Sequence, residues 1–372
     1  MSSISSDRLA ARQAALAALL ETEGLDALLV TSRPNIRYLT GFSGSAGVVV
    51  ATHGPPLLVT DFRYDEQARA ESGAVARVEI EGTSVWERLF KELPTLRLGG
   101  GSTPLMGFEA HAVTVRDAER FASSAASAWR WKPVSELVER LRVRKDPEEV
   151  AAIRAAAALA ATALRETLVQ VHTGQTELEI AGRLEGALRR HGSEAHPFPM
   201  IVASGPRSAL PHAHSSTRSV EAGEWLLLDF GAVVDGYCAD ITRTVVVGGR
   251  ADEAQRWLYT LVQEAQRRAR EGIRPGMSGR EADALARDPI EARGFGVAFG
   301  HSSGHGLGLE VHEAPRLART ASDPLPEGAV VTIEPGVYVA GRGGVRIEDD
   351  VYLAPDGPVL LTDGCTDLLE LV

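Results

Sequence analysis

The chain has 372 residues, 44% of them apolar and 24% charged, with a formal net charge of −11. That length favours two domains over one, and the apolar share is enough for sizeable cores. The acidic balance argues against nucleic acid or an anionic membrane as the main partner.

No apolar run reaches the length of a membrane span. Near the start, Asp7, Arg8 and Arg12 interrupt any signal-like core. Leu16, Leu19 and Leu20 recur at helical spacing, so an amphipathic helix is expected over residues 7–23. Strands are expected at 27–31, 47–51, 57–60 and 75–80, with a helix at 62–72. This alternation predicts a small α/β domain. The run from Gly99 to Pro104 reads as a loop, without the helix that a phosphate cradle needs. Arg37, Tyr38, Phe62 and Arg63 are read as surface charge and core aromatics.

A helix at about 135–142 precedes Asp146, which can cap the next helix with Pro147 in its first position. The domain boundary is placed in the 131–146 stretch, giving domains at 1–133 and 134–372. The alanine-rich helix after Asp146 is expected to run to about 172–174, and a second helix spans 176–191. Strands at 199–247, helices at 252–293 and strands at 309–361 follow. Helices set apart from an antiparallel sheet make the second domain α+β. Cys238 and Cys365 are the only cysteines and stand far apart. This spacing excludes a Cys-type zinc site and a disulfide framework, and it fits a reducing cytoplasm.

Five charged or imidazole residues sit inside apolar or glycine-rich segments: Asp229 in LLLDFG, Asp240 in CADITRT, His305 in SSGHGLG, Glu334 in VTIEPGVY and Glu348 in GVRIEDD. Such placements are costly unless the groups are paired or bind metal. Residues 225–247 read as a hairpin turning at Asp235-Gly236. Asp229 then faces Thr242, and Asp240 lies diagonally on the same face. A second hairpin, 330–339 with 343–353, places Glu334 roughly opposite Glu348, while His305 falls in a glycine-rich loop. If the five converge, four carboxylates carry −4. A pair about 5 Å apart repels by roughly 3 kcal/mol at an effective dielectric near 20. Two divalent cations would neutralise that charge, which points to a two-metal hydrolase. A sulfur-free, oxygen-rich donor set suits manganese or cobalt, with zinc less favoured. Thr242 is a candidate hydrogen-bond donor to a ligand. A single acid at a strand end is ordinarily solvated or ion-paired; only the five together point to metal.

These contexts, with ALPHAHSS, HSSGHGLGLEVHEAP and EPGVY, resemble the pita-bread metallopeptidases, the family of methionine aminopeptidase, aminopeptidase P and prolidase. The likeness covers about residues 132–372 strongly and is closest to the Xaa-Pro branch. PNIRYLTGFSGSAG and TDFRYDEQA resemble the creatinase-type N-terminal domain. The resemblance implies that Asp229 binds one metal, that Asp240 and Glu348 bridge both, and that His305 and Glu334 complete the other shell. Glu334 would also carry the proton to the leaving nitrogen. His212, His301 and His312 match substrate-side histidines, and Arg346 and Tyr338 match residues that orient ligands or substrate; His196 and His214 are read as structural. The implied partners are short peptides with proline in second position, and the implied assembly is a homodimer. YLTGFSGSAG tilts the expectation to aminopeptidase P. Prolidase is the alternative, and a peptide-binding module without catalysis is more remote.

Overall fold

Residues 4–96, 103–121, 128–362 and 364–372 are described by a computed structural model. The loop expected at 99–104 lies mostly outside them. The chain divides into two compact units, Met1–Arg142 and Val143–Val372.

The first unit is built on a six-stranded sheet. Its elements run α1 (Ser6–Glu23), β1 (Ala27–Val30), α2 (Arg33–Thr40), β2 (Gly47–Ala51), β3 (Leu57–Asp61), α3 (Asp65–Ser72), β4 (Arg77–Glu81), α4 (Val85–Glu92), β5 (Leu105–Glu109), α5 (Val115–Arg120), β6 (Arg130–Val134) and α6 (Leu137–Arg142). The strand order is β4-β3-β2-β1-β5-β6. β1 is buried along its whole length, which explains its unbroken apolar run. Two features hid elements from the pattern. Pro34 opens α2 at a position where its missing N–H is harmless. Pro133 sits in the edge strand β6, where no further neighbour needs that donor. Tyr38 is buried as expected, but Phe62 is 66% exposed and is not a core aromatic.

The second unit begins with α7 (Pro147–Leu168) and α8 (Glu177–Arg190). Asp146 and Thr176 close capping boxes with Glu149 and Glu179. α7 stops at Leu168, short of the expected 172–174, because the chain turns away: the Gly174 N–H donates to Val220 O. β7 (Ile201–Ser204), β8 (Glu224–Val234) and β9 (Tyr237–Val247) follow, then α9 (Glu253–Gly272) and α10 (Gly279–Glu291). β10 (Gly304–Gly306), β11 (Glu313–Leu317), β12 (Val330–Ile333), β13 (Gly336–Val339), β14 (Gly343–Arg346), β15 (Asp349–Ala354), β16 (Gly357–Leu360) and β17 (Glu370–Leu371) complete it. β17-β9-β8-β7 form one sheet, β11-β10-β12-β15-β16 another, and β13-β14 a ribbon. α7 and α8 pack Ala156, Ala160, Ile180 and Leu184 against Leu226, Leu228 and Ile241 of the first of these sheets. α9 and α10 bring Ala269, Ala282 and Ala286 against Val331, Ile333 and Val351 of the second.

The β8–β9 hairpin has the expected register. Asp229 pairs with Thr242 and Gly231 with Asp240. Asp235 and Gly236 both take positive φ, 48° and 77°, as a tight primed turn requires. The second hairpin differs from the expectation of two unbroken strands: each arm is split, into β12 and β13 and into β14 and β15. Pro335 lacks an N–H, and both glutamates beside the breaks bond elsewhere, Glu334 N to Ser303 O and Glu348 N to Thr242 O. The register is nevertheless continuous, with Ile333 opposite Asp349 and Gly336 opposite Arg346. That keeps Glu334 facing Glu348. His305 also departs from expectation, since it lies in the short strand β10 and not in a loop. Its glycine neighbours allow this: a Cβ at Gly304 would meet Thr332 O at 2.0 Å, and one at Gly306 would meet Ala314 O at 2.1 Å.

Candidate metal centre

Asp229, Asp240, His305 and Glu348 are all buried, and Glu334 is nearly so. One ligand atom each of Asp240, His305 and Glu348 lies within 4.8 Å of the others. His305 Nε2 stands 3.8 Å from Asp240 Oδ2 and 3.6 Å from Glu334 Oε1. Its Nδ1–H donates to Gly306 O at 3.0 Å, which leaves the Nε2 lone pair aimed at the carboxylates. Burial pushes the His305 imidazole down to about 4, so it is neutral and able to ligate.

Asp229 joins this cluster through Arg346 and Thr242. The Arg346 Nη2–H donates to Asp229 Oδ2, and its Nε–H donates to Thr242 Oγ1 at 3.1 Å. The Thr242 hydroxyl donates in turn to Glu348 Oε2 at 2.6 Å. Thr242 thus fixes one oxygen of Glu348, the residue expected to bridge. Thr242→Val is expected to weaken manganese affinity by roughly 10- to 100-fold, measured by metal titration of the stripped protein. Unchanged affinity would refute the orienting role.

The acids are strained as they stand. Burial, then Glu348 and Asp229, push the Asp240 carboxyl far above the usual carboxylate range. Burial, then Glu334 and Asp229, do the same for Glu348. Burial lifts Glu334 to about 8 against the opposing pull of Arg346. Asp240 Oδ1 is buried with no hydrogen-bond partner. A polar atom left so is costly unless a cation meets it. Four carboxylates, one neutral imidazole and an orphaned oxygen fit the two divalent ions that the sequence suggested.

Tyr338, Arg346 and His301 form one chain of hydrogen bonds. The Arg346 Nη1–H donates to Tyr338 Oη at 2.7 Å, and Tyr338 Oη lies 2.9 Å from His301 Nε2. His301 Nδ1 lies 2.7 Å from Ser302 O, an atom that only accepts. Nδ1 therefore carries the proton, and Tyr338 donates to Nε2. His301 Nδ1 is also 3.9 Å from Glu334 Oε2. The His312 ring lies 4.4 Å from the His305 ring, with His312 itself exposed. His212 is exposed and acts electrostatically on both His301 and His312. His196 instead pairs with Glu185 at 3.1 Å.

Several residues around the centre were not foreseen. Asp350 Oδ2 accepts from Asp240 N at 3.2 Å. Asp349 accepts from Arg243 at 2.7 Å and from Gln266 at 2.6 Å, while Arg243 also donates to Glu348 O at 2.6 Å. The acid run 348–350 was their only visible signal. Glu177 holds both ends of the loop that carries His212, accepting from Ser204 N at 2.8 Å and Ser216 N at 2.9 Å. The buried Lys145–Glu313 pair, 3.0 Å, anchors the residue after His312.

Residues 151–355 match the model of metallopeptidase family M24, and residues 12–144 match that of the creatinase/prolidase N-terminal domain. A Xaa-Pro dipeptidase of Pyrococcus horikoshii is 35% identical over 92% of this chain and 94% of its own length. A solved Xaa-Pro dipeptidase from Bacillus anthracis shares 38% identity and a TM-score of 0.91, covering 98% of this chain and 100% of that one. The X-Pro aminopeptidase of Thermotoga maritima shares 36% identity and a TM-score of 0.87 over 96% of this chain and 99% of its own. With both units matched and the fold shared along almost the whole length, the chain belongs to metallopeptidase family M24, its pita-bread unit following a creatinase/prolidase N-terminal domain.

Proposed function

We propose that this protein is a dimetal Xaa-Pro dipeptidase. The initial tilt to aminopeptidase P gives way to the prolidase alternative, because the similar proteins named as dipeptidases include both a curated relative and a solved structure with a TM-score of 0.91. The observation that carries the reading is Arg316. It sits on β11 directly opposite His305 on β10, so the two side chains share a face. It is exposed, and its charge reaches both His305 and His312. Among the described residues its guanidinium has no ion-pair partner. A cation so placed suits a C-terminal carboxylate one residue beyond the scissile bond. A longer peptide has no carboxylate at that position.

Asp229, Asp240, His305, Glu334 and Glu348 would hold two divalent ions, with manganese favoured by the oxygen-rich set. Bound there, the ions supply Lewis acidity and make water a nucleophile at neutral pH. The protein does the rest. His312 faces the reacting carbonyl and donates to its oxygen as charge develops. Glu334 moves a proton to the prolyl nitrogen, which has none of its own in the substrate and must gain one to leave. Tyr338 and Arg346 hold His301 and Asp229 in register around that path. Both cysteines are free, as a cytoplasmic protein's would be.

The test is hydrolysis of Ala-Pro against Ala-Pro-Ala by protein stripped with chelator and reloaded with manganese. The expected result is a higher kcat/KM for the dipeptide. A preference for the tripeptide would restore the aminopeptidase reading, and cleavage of neither would remove both.

A further inference from the structure

The mechanism leaves unused a buried ion pair in the middle of α10. Asp283 is 1% exposed and Arg287 4% exposed. They are bidentate: Arg287 Nε–H donates to Asp283 Oδ2 at 2.6 Å, and Nη2–H to Oδ1 at 2.8 Å. One turn of helix separates them, so the pair is a rigid unit on one face. A buried pair of this kind is weak evidence for stability in itself, and its other contacts are the better guide to its use.

Those contacts all go to the segment that carries His301. Arg287 Nη1–H donates to Phe299 O at 2.9 Å, and Nη2–H to His301 O at 2.7 Å. The guanidinium also lies over the Phe299 ring, 4.0 Å from its centroid. That ring meets the His301 imidazole edge to face at 5.1 Å. Asp283 Oδ1 accepts from Ser303 N at 3.1 Å, and Ser303 O accepts from Glu334 N at 2.9 Å. The pair therefore grips His301 by its own carbonyl, by the ring packed against it and by the second residue after it.

We propose that Asp283 and Arg287 are positioning residues that set the His301 imidazole against Tyr338 and Glu334. Segment 299–303 contains no α-helix or β-strand. Without the fork, its carbonyls lose their donors and the Phe299 ring loses the cation beneath it. Lysine cannot replace arginine here, because one ammonium cannot serve two carboxylate oxygens and two carbonyls in a plane. The consequence for turnover rests on the function proposed above; the placement of the imidazole does not.

The experiment uses the manganese-loaded full chain and the variants Arg287→Lys, His301→Ala and their combination. Lysine keeps a cation opposite the buried Asp283 carboxylate, so folding is retained while the fork is lost. In the wild-type background, Arg287→Lys is expected to lower kcat/KM for Ala-Pro about tenfold, the lower end for loss of an outer hydrogen-bonding partner. In the His301→Ala background the same change is expected to cost less than about twofold, because the residue it acts through is gone. Equal losses in both backgrounds would overturn the proposal. Nitrogen-15 spectra of the histidine rings give a second readout that is independent of turnover. His301→Ala identifies the His301 signals, and Arg287→Lys should shift them; unchanged signals would also overturn it. Should His301→Ala turn over like the wild type, the site role of His301 falls, and the ring signals alone decide the placement. If Arg287→Lys does not fold, Phe299→Leu removes the ring between the two residues and is expected to shift the same signals.

Discussion

Asp240→Asn is expected to reduce turnover to background, a loss of about 10³-fold or more, and at the same time to make the metal-free protein no less stable than the wild type. The first effect follows from position. Asp240 offers a ligand atom within 4.8 Å of those of both His305 and Glu348, and its Oδ1 has no other partner. If Asp240 bridges two ions as proposed, losing it forfeits several kcal/mol of transition-state stabilisation. The second effect follows from electrostatics. Burial and then the Glu348 and Asp229 charges disfavour the Asp240 carboxylate and favour its neutral form, so an uncharged amide of the same shape adds no electrostatic cost. The pH dependence has a definite sign. Glu334 titrates near 8 in the folded, metal-free chain, above its ordinary value of 4.5. Above about 6.5, where His301 and His305 are neutral in both states, the folded state binds more protons than the unfolded one up to about 8, so metal-free stability falls as pH rises through that window. Metal competes with those protons, and the gain in Tm on adding manganese should be larger at pH 8 than at pH 5. In Asp240→Asn most of that gain should vanish. Calorimetry with and without manganese measures both effects. A variant that keeps its activity, or its full manganese-dependent rise in Tm, would remove Asp240 from the centre.

The centre was legible in the sequence where a strand's two-residue period and a turn signal act together. Asp235-Gly236 sets the turn, the turn sets the register, and the register puts Asp229 and Asp240 on one face. The same logic placed Glu334 opposite Glu348 but missed that both strands break there. A glutamate whose backbone N–H bonds a different strand looks, in sequence, like any other strand residue. His305 was misplaced for a related reason. Its flanking glycines suggested a loop, whereas they are small because two neighbouring backbones press against β10. Helix α2 was lost to Pro34, which suggests a loop until the helix is seen to begin there. What no pattern could show is the support around the histidines. Glu177 and Arg287 lie on helices with ordinary amphipathic spacing, and Lys145 lies just ahead of one. Their partners are loop carbonyls, amides of a loop and of a strand's last residue, and one acid up to 168 residues away. Those contacts depend on tertiary approach and leave no periodic trace.

Arg316→Ala is expected to separate the dipeptidase from the aminopeptidase within one protein. If Arg316 receives the substrate's terminal carboxylate, its removal breaks a charge-assisted hydrogen bond worth about 2–3 kcal/mol, or roughly 30- to 150-fold in kcat/KM for Ala-Pro. The loss should fall mainly on KM, because the carboxylate is equally charged in substrate and transition state. Ala-Pro-amide, which has no such charge, should be cut equally by variant and wild type. The substitution leaves the five candidate ligands in place. Arg316 is exposed, and its strand is held to β10 through the backbone, so metal content and Tm should not change. Arg316→Lys should recover part of the affinity, since a point charge replaces one arm of a fork. The controlling comparison is the ratio of Ala-Pro to Ala-Pro-amide: high in the wild type, about one in Arg316→Ala. A ratio unmoved by the substitution would place the carboxylate elsewhere and leave Arg316 a solvated surface charge. A wild-type ratio already near one would mean that the site does not read a free carboxylate at all, and the preference for dipeptides would lose its physical basis.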